Sequence, residues 1–169
     1  VRLANAKPLI IQTNENNDFK LTPEQLRSAI TSKTRGIIIN SPCNPTGAVY
    51  TKSDWIGLSK ILLKYPMVYI ICDEIYEHIY WGKNQYTNLL SCCPELRDRI
   101  IIINGVSKCY SMTGWRIGYS AGPENIIKAM TIIQSQSTTN ACTISQAAAQ
   151  VALNGPQTDV VEMCSAFKK

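Results

Sequence analysis

The chain has 169 residues and a formal net charge of +5, and 45% of its residues are hydrophobic, which is typical of one globular domain. Its basic residues are spread out and its longest apolar run covers only residues 67–72, so neither a nucleic-acid partner nor a membrane span is expected. Seven cysteines without a C-x-x-C pair and a single histidine argue against a metal site and predict free thiols in the cytoplasm.

Apolar segments and turn residues alternate in a pattern that predicts alternating strands and helices. Thr22 and Pro23 suit a helix N-cap and first helical position, and Thr51 or Ser53 can cap a second helix. Strands are predicted at residues 9–12, 36–40, 67–72, 99–104 and 117–121, and helices at residues 22–30, 54–64, about fifteen residues from Pro123, and 145–153. The strands are continuously apolar, so the predicted fold is α/β, a three-layer α/β/α sandwich with a mostly parallel sheet.

Polar side chains follow three of the predicted strands. Asn44 follows the strand at 36–40, Asp73 follows the strand at 67–72, and Lys108 follows the strand at 99–104. Ligands of open parallel sheets bind beyond the carboxyl ends of the strands, so an amide, a carboxylate and an amine would face one crevice. Each residue alone is equally consistent with a turn, a cap or a solvated surface. Their coincidence at one edge favours a site for an anionic small molecule.

Three segments carry a family resemblance: Asn44-Pro-Thr-Gly47, Asp73-Glu-Ile-Tyr76, and Gly105-Val-Ser-Lys108 with Arg116-Ile-Gly118. Together they resemble the motifs of the class I aminotransferases of fold type I, and most closely the bacterial-type aspartate aminotransferases. The resemblance implies pyridoxal 5′-phosphate as cofactor and a homodimeric complete protein. It also implies that residues 1–169 are a partial cofactor-binding large domain, without its N-terminal segment and the C-terminal small domain.

The resemblance also implies a role for each site residue. Lys108 would be the catalytic residue, which binds the cofactor covalently and then acts as general acid and base. The other expected cofactor ligands are Asp73 at the ring nitrogen, Asn44 and Tyr76 at the 3′ oxygen of the ring, and Arg116 and Ser107 at the phosphate. This chain departs from many family members at Gly105, where they have a phosphate-binding serine.

The implied activity is transfer of an amino group from an L-amino acid, with aspartate the first choice, to a 2-oxo acid, with 2-oxoglutarate the first choice. Two alternatives stay open on the sequence alone. The same residues would serve a lyase that uses this cofactor for β-elimination or C–S cleavage. A regulatory module that binds the cofactor without catalysis is also consistent with the fold, because a fold does not determine a function.

Overall fold

The computed structural model describes residues 1–83 and 85–168. Its strands are β1 (Gly36–Asn40), β2 (Tyr69–Asp73), β3 (Ile100–Gly105) and β4 (Gly118–Ala121). Its α-helices are α1 (Pro23–Ala29), α2 (Lys52–Leu62), α3 (Leu89–Cys92), α4 (Glu124–Ser137), α5 (Thr143–Asn154) and α6 (Thr158–Phe167). Short 3₁₀ turns occupy Arg2–Ala4, Glu15–Asn17, Pro94–Arg99 and Thr113–Trp115.

The four strands form one sheet in the order β1-β2-β3-β4. The first three strands are parallel, with Asn40 opposite Asp73, and β4 runs antiparallel to β3, with Gly105 opposite Gly118. The α/β fold class with a mostly parallel sheet is therefore confirmed. Because parallel crossovers are almost always right-handed and the strand order does not reverse, both crossovers are expected on the same face of the sheet.

The main core lies between the sheet and the helices of these crossovers. Ile38, on the opposite face of β1, is 62% exposed, whereas its neighbour Ile39 is 6% exposed. Burial of one large aliphatic side chain such as Ile39 stabilises the folded state by about 1.5–3 kcal/mol. The buried residues of this core are Leu26, Ile39, Tyr50, Trp55, Leu58, Ile61, Leu62, Ile70, Cys72, Leu89, Cys93, Leu96 and Ile100.

Local side-chain chemistry determines where α1 and α2 begin. The Thr22 hydroxyl accepts a hydrogen bond from the Gln25 amide, and the Gln25 side chain accepts one from the Thr22 amide, which forms a capping box. Thr51 and Asp54 form the same arrangement at α2. The predicted N-cap Thr22 and first helical residue Pro23 are confirmed, and Thr51 is the N-cap of the second helix.

The predicted strand at residues 9–12 is wrong. These residues adopt no regular secondary structure, and Leu9 and Ile10 are 69% and 77% exposed. The segment runs along α1, where the Gln25 side-chain amide donates to the Gln12 carbonyl at 3.0 Å. An apolar run becomes a strand only where its backbone finds another strand to pair with. Helices α3 and α6 were not predicted.

The C-terminal helices contribute little to burial. Val106 and Ile117 pack with Ala149 of α5 in a second, smaller cluster. Val160 is the buried residue of α6, and α4 has none among its described residues. Within residues 1–83 and 85–168, none of the helices has the length and apolar character needed to span a lipid bilayer.

Candidate functional site

The carboxyl ends of three parallel strands place the candidate site at one edge of the sheet. β1, β2 and β3 end at Asn40, Asp73 and Gly105, respectively. Two further backbone hydrogen bonds extend the ladder past these ends: Ser41 donates to the Asp73 carbonyl at 3.0 Å, and Glu74 donates to the Ile103 carbonyl at 2.9 Å. The loops that carry the predicted site residues therefore leave the sheet at the same edge.

Asn40 connects the first two strand ends. Its side-chain amide nitrogen donates to the Asp73 carbonyl at 3.1 Å, and its side-chain oxygen accepts from the Asn44 backbone amide at 3.0 Å. Gly47 turns the same loop back with a φ of 70°, a conformation that glycine adopts without strain. One asparagine thus fixes the Asn44 backbone to the strand that ends in Asp73.

Asp73 and Tyr76 lie at the start of a tight turn after β2. The Asp73 carboxylate accepts a hydrogen bond from the Ile75 amide at 3.2 Å. The Asn44 side-chain amide donates to the Tyr76 hydroxyl at 3.3 Å. The structure therefore brings together Asn44 and Tyr76, which come from different loops, beside the strand end that carries Asp73.

Lys108 meets this group from the β3 side. Its ammonium nitrogen lies 5.6 Å from the centre of the Tyr76 ring, within the range of a cation–π contact. Ser107 and Lys108 are half-buried, and the next residue, Cys109, is buried. Burial raises the pKa of the Cys109 thiol to about 11, so this cysteine is expected to be unreactive.

Arg116 has an unusual backbone conformation. Its φ of 55° and ψ of 47° lie in the left-handed region, which costs a non-glycine residue about 1–2 kcal/mol. Its side chain is exposed, and its guanidinium donates to the Thr113 carbonyl at 2.9 Å. Such strain often occurs at functional sites. The phosphate roles of Arg116 and Ser107 stay predictions.

The structure gives a physical reason for the glycine at position 105. A Cβ atom on Gly105 would lie 2.8 Å from the Ile117 carbonyl oxygen and 3.1 Å from the Gly118 Cα. Both contacts are with backbone, which cannot rotate away as a side chain does. A side chain at this position, where many family members have serine, would therefore require the backbone at Ile117 and Gly118 to shift.

A set of buried and half-buried polar residues lies behind the site. Glu74 is 4% exposed and accepts a hydrogen bond from the Asn88 side chain at 3.0 Å. Burial, opposed by this bond and reinforced by Glu77 and Asp73, raises the pKa of Glu74 to about 7. The Asn104 side-chain amide donates to the Glu77 carboxylate.

Sequence reasoning missed four polar residues of this edge. They are Asn40, Glu74, Glu77 and Asn104. Asn40 and Asn104 did carry a usable signal, because each ends a predicted strand directly after a run of isoleucines. Glu74 and Glu77 are glutamates in a loop, and their sequence context does not distinguish them from solvated surface residues.

Comparisons with known proteins show the family of this chain. The family model for aminotransferase class I and II matches residues 1–169. The aspartate/prephenate aminotransferase of Nitrosomonas europaea and the aspartate aminotransferase of Geobacillus stearothermophilus are each 48% identical over 169 residues. Each match covers 100% of this chain and 43% of the relative.

A solved structure gives the same result. The aspartate aminotransferase of Rhizobium meliloti matches with a TM-score of 0.93 and 45% identity, over 96% of this chain and 40% of that chain. The chain therefore belongs to the aminotransferase class I and II family. It spans less than half the length of these relatives.

Proposed function

We propose that the complete protein containing this chain is an aminotransferase that uses pyridoxal 5′-phosphate. Its proposed reaction moves the amino group of an L-amino acid, aspartate first, to a 2-oxo acid, 2-oxoglutarate first. The observation that carries the proposal is the group of side chains at the sheet edge. The Asn44 amide bonds to the Tyr76 hydroxyl, and the Lys108 ammonium lies over the Tyr76 ring.

The chemistry of these side chains fits the cofactor. A primary amine, Lys108, is the group that reacts with an aldehyde. A carboxylate, Asp73, suits a protonated ring nitrogen, and the amide and hydroxyl of Asn44 and Tyr76 can both bond to a phenolate oxygen. The planar guanidinium of Arg116 suits a phosphate. The set therefore has a matching group for each polar part of pyridoxal phosphate.

The residues of this chain would divide the work as follows. Lys108 would hold the cofactor and, once displaced by the substrate amine, would move a proton at the substrate α-carbon. Asp73 would keep the ring nitrogen protonated, and Asn44 with Tyr76 would orient the ring. The bound cofactor supplies an electron-withdrawing ring that stabilises negative charge at the substrate α-carbon.

The names of the relatives support the choice of substrates. The two relatives at 48% identity are named aspartate/prephenate and aspartate aminotransferases. The Thermus thermophilus aspartate aminotransferase was solved with maleate, a four-carbon dicarboxylate, and it matches at 36% identity with a TM-score of 0.87. Aspartate as amino donor is therefore the first substrate to test. A homodimer in the cytoplasm stays a prediction for the complete protein.

The first experiment records the visible spectrum of the purified complete protein with pyridoxal phosphate, before and after borohydride, followed by peptide mass mapping. We expect a yellow protein with reduced cofactor attached to Lys108. Aspartate is then supplied with 2-oxoglutarate or prephenate, and glutamate and oxaloacetate are measured. Cystathionine, which has a thiolate leaving group at its β-carbon, is supplied in a separate assay. Release of pyruvate and ammonia there, without amino transfer from aspartate, would favour a lyase. Absence of colour, or label on another lysine, would contradict the proposal.

Substitution of the proposed catalytic lysine gives the second test. Lys108→Ala should lower amino transfer by about a thousandfold or more, because both the covalent attachment and the proton transfer are lost. The matched control is Lys128→Ala on α4, an exposed lysine that pairs with Glu124 four residues away. Activity of Lys108→Ala near that of the control would show that another amine does the chemistry.

A further inference from the structure

One hydrogen bond joins the two halves of the candidate site from behind. The donor is the side-chain amide of Asn104, and the acceptor is the carboxylate of Glu77. Asn104 lies in β3, four residues before Lys108, and is 6% exposed. Glu77 directly follows Tyr76 in the turn after β2. The bond therefore links the backbone that carries Tyr76 with the strand that leads to Lys108.

Both partners of this bond are fixed at their other atoms. The Asn104 side-chain oxygen accepts from the Gly105 amide at 2.8 Å, which turns the amide nitrogen toward Glu77. The Glu77 backbone amide donates to the Glu74 carbonyl at 2.9 Å. The Oε1 atom of Glu77 also lies 3.5 Å from Nε2 of the half-exposed His78 ring. A buried amide with both of its ends bonded has one preferred orientation.

Two other contacts between the turn after β2 and the β3 side are a backbone hydrogen bond and a cation–π contact. Glu74 donates to the Ile103 carbonyl at 2.9 Å, and Lys108 reaches the Tyr76 ring at 5.6 Å. Among residues 1–83 and 85–168, the Asn104–Glu77 bond is the side-chain hydrogen bond that connects residues 74–79 with residues 104–116. Loss of this bond would let the Tyr76 turn move relative to Lys108 while the sheet stayed intact.

We propose that Glu77 and Asn104 are a positioning pair, whose hydrogen bond sets the distance between the Tyr76 hydroxyl and the Lys108 amine. Neither residue touches substrate or cofactor in this proposal, and both act through their neighbours in the chain. This distance matters for catalysis, because displacement of a catalytic group by about 1 Å can lower a reaction rate by about a hundredfold. The inference rests on the proposed function for its catalytic consequence, but its geometric part stands on this chain alone.

The test uses a reversal of donor and acceptor in the complete protein. Asn104→Asp removes the donor and places a second carboxylate against Glu77. Adding Glu77→Gln supplies a side-chain amide that donates to the new carboxylate, so the double variant re-forms the bond in the opposite direction. His78→Ala is the control for the other contact of Glu77.

Two measurements follow the position of Lys108. The first is the rate at which an amine-specific reagent labels Lys108 in the cofactor-free protein, relative to Lys128. The second is the pair of kinetic constants kcat and KM for amino transfer, determined separately. We expect Asn104→Asp to change the labelling ratio and to lower kcat about tenfold or more, with KM changed less. The double variant should recover most of the wild-type labelling ratio and most of kcat. His78→Ala should change neither the labelling ratio nor kcat.

Two results would overturn the positioning role of the pair, and a third would overturn the proposed function alone. Equal defects in the single and double variants would overturn it, because they would show that Asn104 itself, and not its bond, is needed. A lowered Tm with an unchanged labelling ratio and kcat would reduce the pair to a structural role and also overturn it. If the wild type binds no pyridoxal phosphate, the proposed function fails, while the labelling ratios still decide the positioning role.

Discussion

The two walls of the candidate site are built by different physical means. The β1–β2 wall, defined by Asn40, Asn44, Asp73 and Tyr76, is held by a chain of hydrogen bonds. Asn40 bonds to the Asp73 carbonyl and to the Asn44 amide, and Asn44 bonds to the Tyr76 hydroxyl. Side-chain hydrogen bonds therefore connect the residues of this wall to one another.

The β3–β4 wall, defined by Gly105, Lys108, Arg116 and Gly118, depends on steric fit. Gly105 lies against the backbone of β4 with no room for a Cβ atom. Arg116 turns the chain into that strand with a left-handed backbone. Substitutions in the first wall should therefore act through charge and hydrogen bonding. In the second wall, substitutions at Gly105 and changes of the Arg116 backbone conformation should act through packing and backbone strain. Four predictions test this difference.

The largest effect is expected from loss of charge in the β1–β2 wall. Asp73→Asn keeps an oxygen to accept the bond from the Ile75 amide, but removes the negative charge. Amino transfer should fall by about a hundredfold to a thousandfold, while Tm should change little, because the charge acts mainly in the transition state. Steady-state kinetics and thermal melts of the complete protein measure both. A large Tm loss would show that Asp73 is chiefly structural.

The buried carboxyl group behind this wall should make stability depend on pH. The pKa of Glu74 is raised from its ordinary value of 4.5 to about 7 in the folded protein, so its contribution to stability is fully present below about pH 4.5 and is lost as the pH rises to about 7. Glu74→Gln should remove this loss, which is worth roughly 2–3 kcal/mol. Thermal melts at several pH values test it, with Glu162→Gln on α6 as the exposed control. If the wild type, Glu74→Gln and Glu162→Gln lose stability with pH in parallel, Glu74 is not the source of the pH dependence.

In the β3–β4 wall, the expected effect of a methyl group is steric. Gly105→Ala should destabilise the protein by about 1–3 kcal/mol, because the added Cβ meets the backbone at Ile117 and Gly118. Gly114→Ala is the matched control, since a Cβ there has nothing within 4 Å. Thermal melts compare the two variants. Equal Tm values would mean that β4 can shift without cost.

The smallest effect separates backbone strain from side-chain chemistry at Arg116. Arg116→Gly and Arg116→Ala both remove the guanidinium, so both should weaken cofactor affinity equally. The glycine variant should nevertheless be more stable than the alanine variant by about 1 kcal/mol, since only glycine adopts the left-handed conformation freely. Cofactor titrations and melts measure the two effects. Cofactor affinity that stays at the wild-type value in both variants would remove Arg116 from the phosphate site.

Much of the fold was predictable from the sequence because its signals are local. β1 begins and ends at the predicted residues Gly36 and Asn40, and α1 begins at Pro23, directly after its predicted N-cap Thr22. The sheet edge that holds Asn44, Asp73 and Lys108 followed from the order of the apolar strands. The segment at 9–12 failed, because its apolar pattern could not reveal that no strand would pair with it.

The sequence by itself determined which residue types stand at the ends of the strands, and hence the amine, carboxylate and amide of the candidate site. Only the tertiary structure decided how these groups are held. The contact of Gly105 with β4 and the bond from Asn104 to Glu77 each join residues that are distant in the chain. Such contacts depend on where separate segments meet in space, whereas strand and helix signals depend on neighbours along the chain.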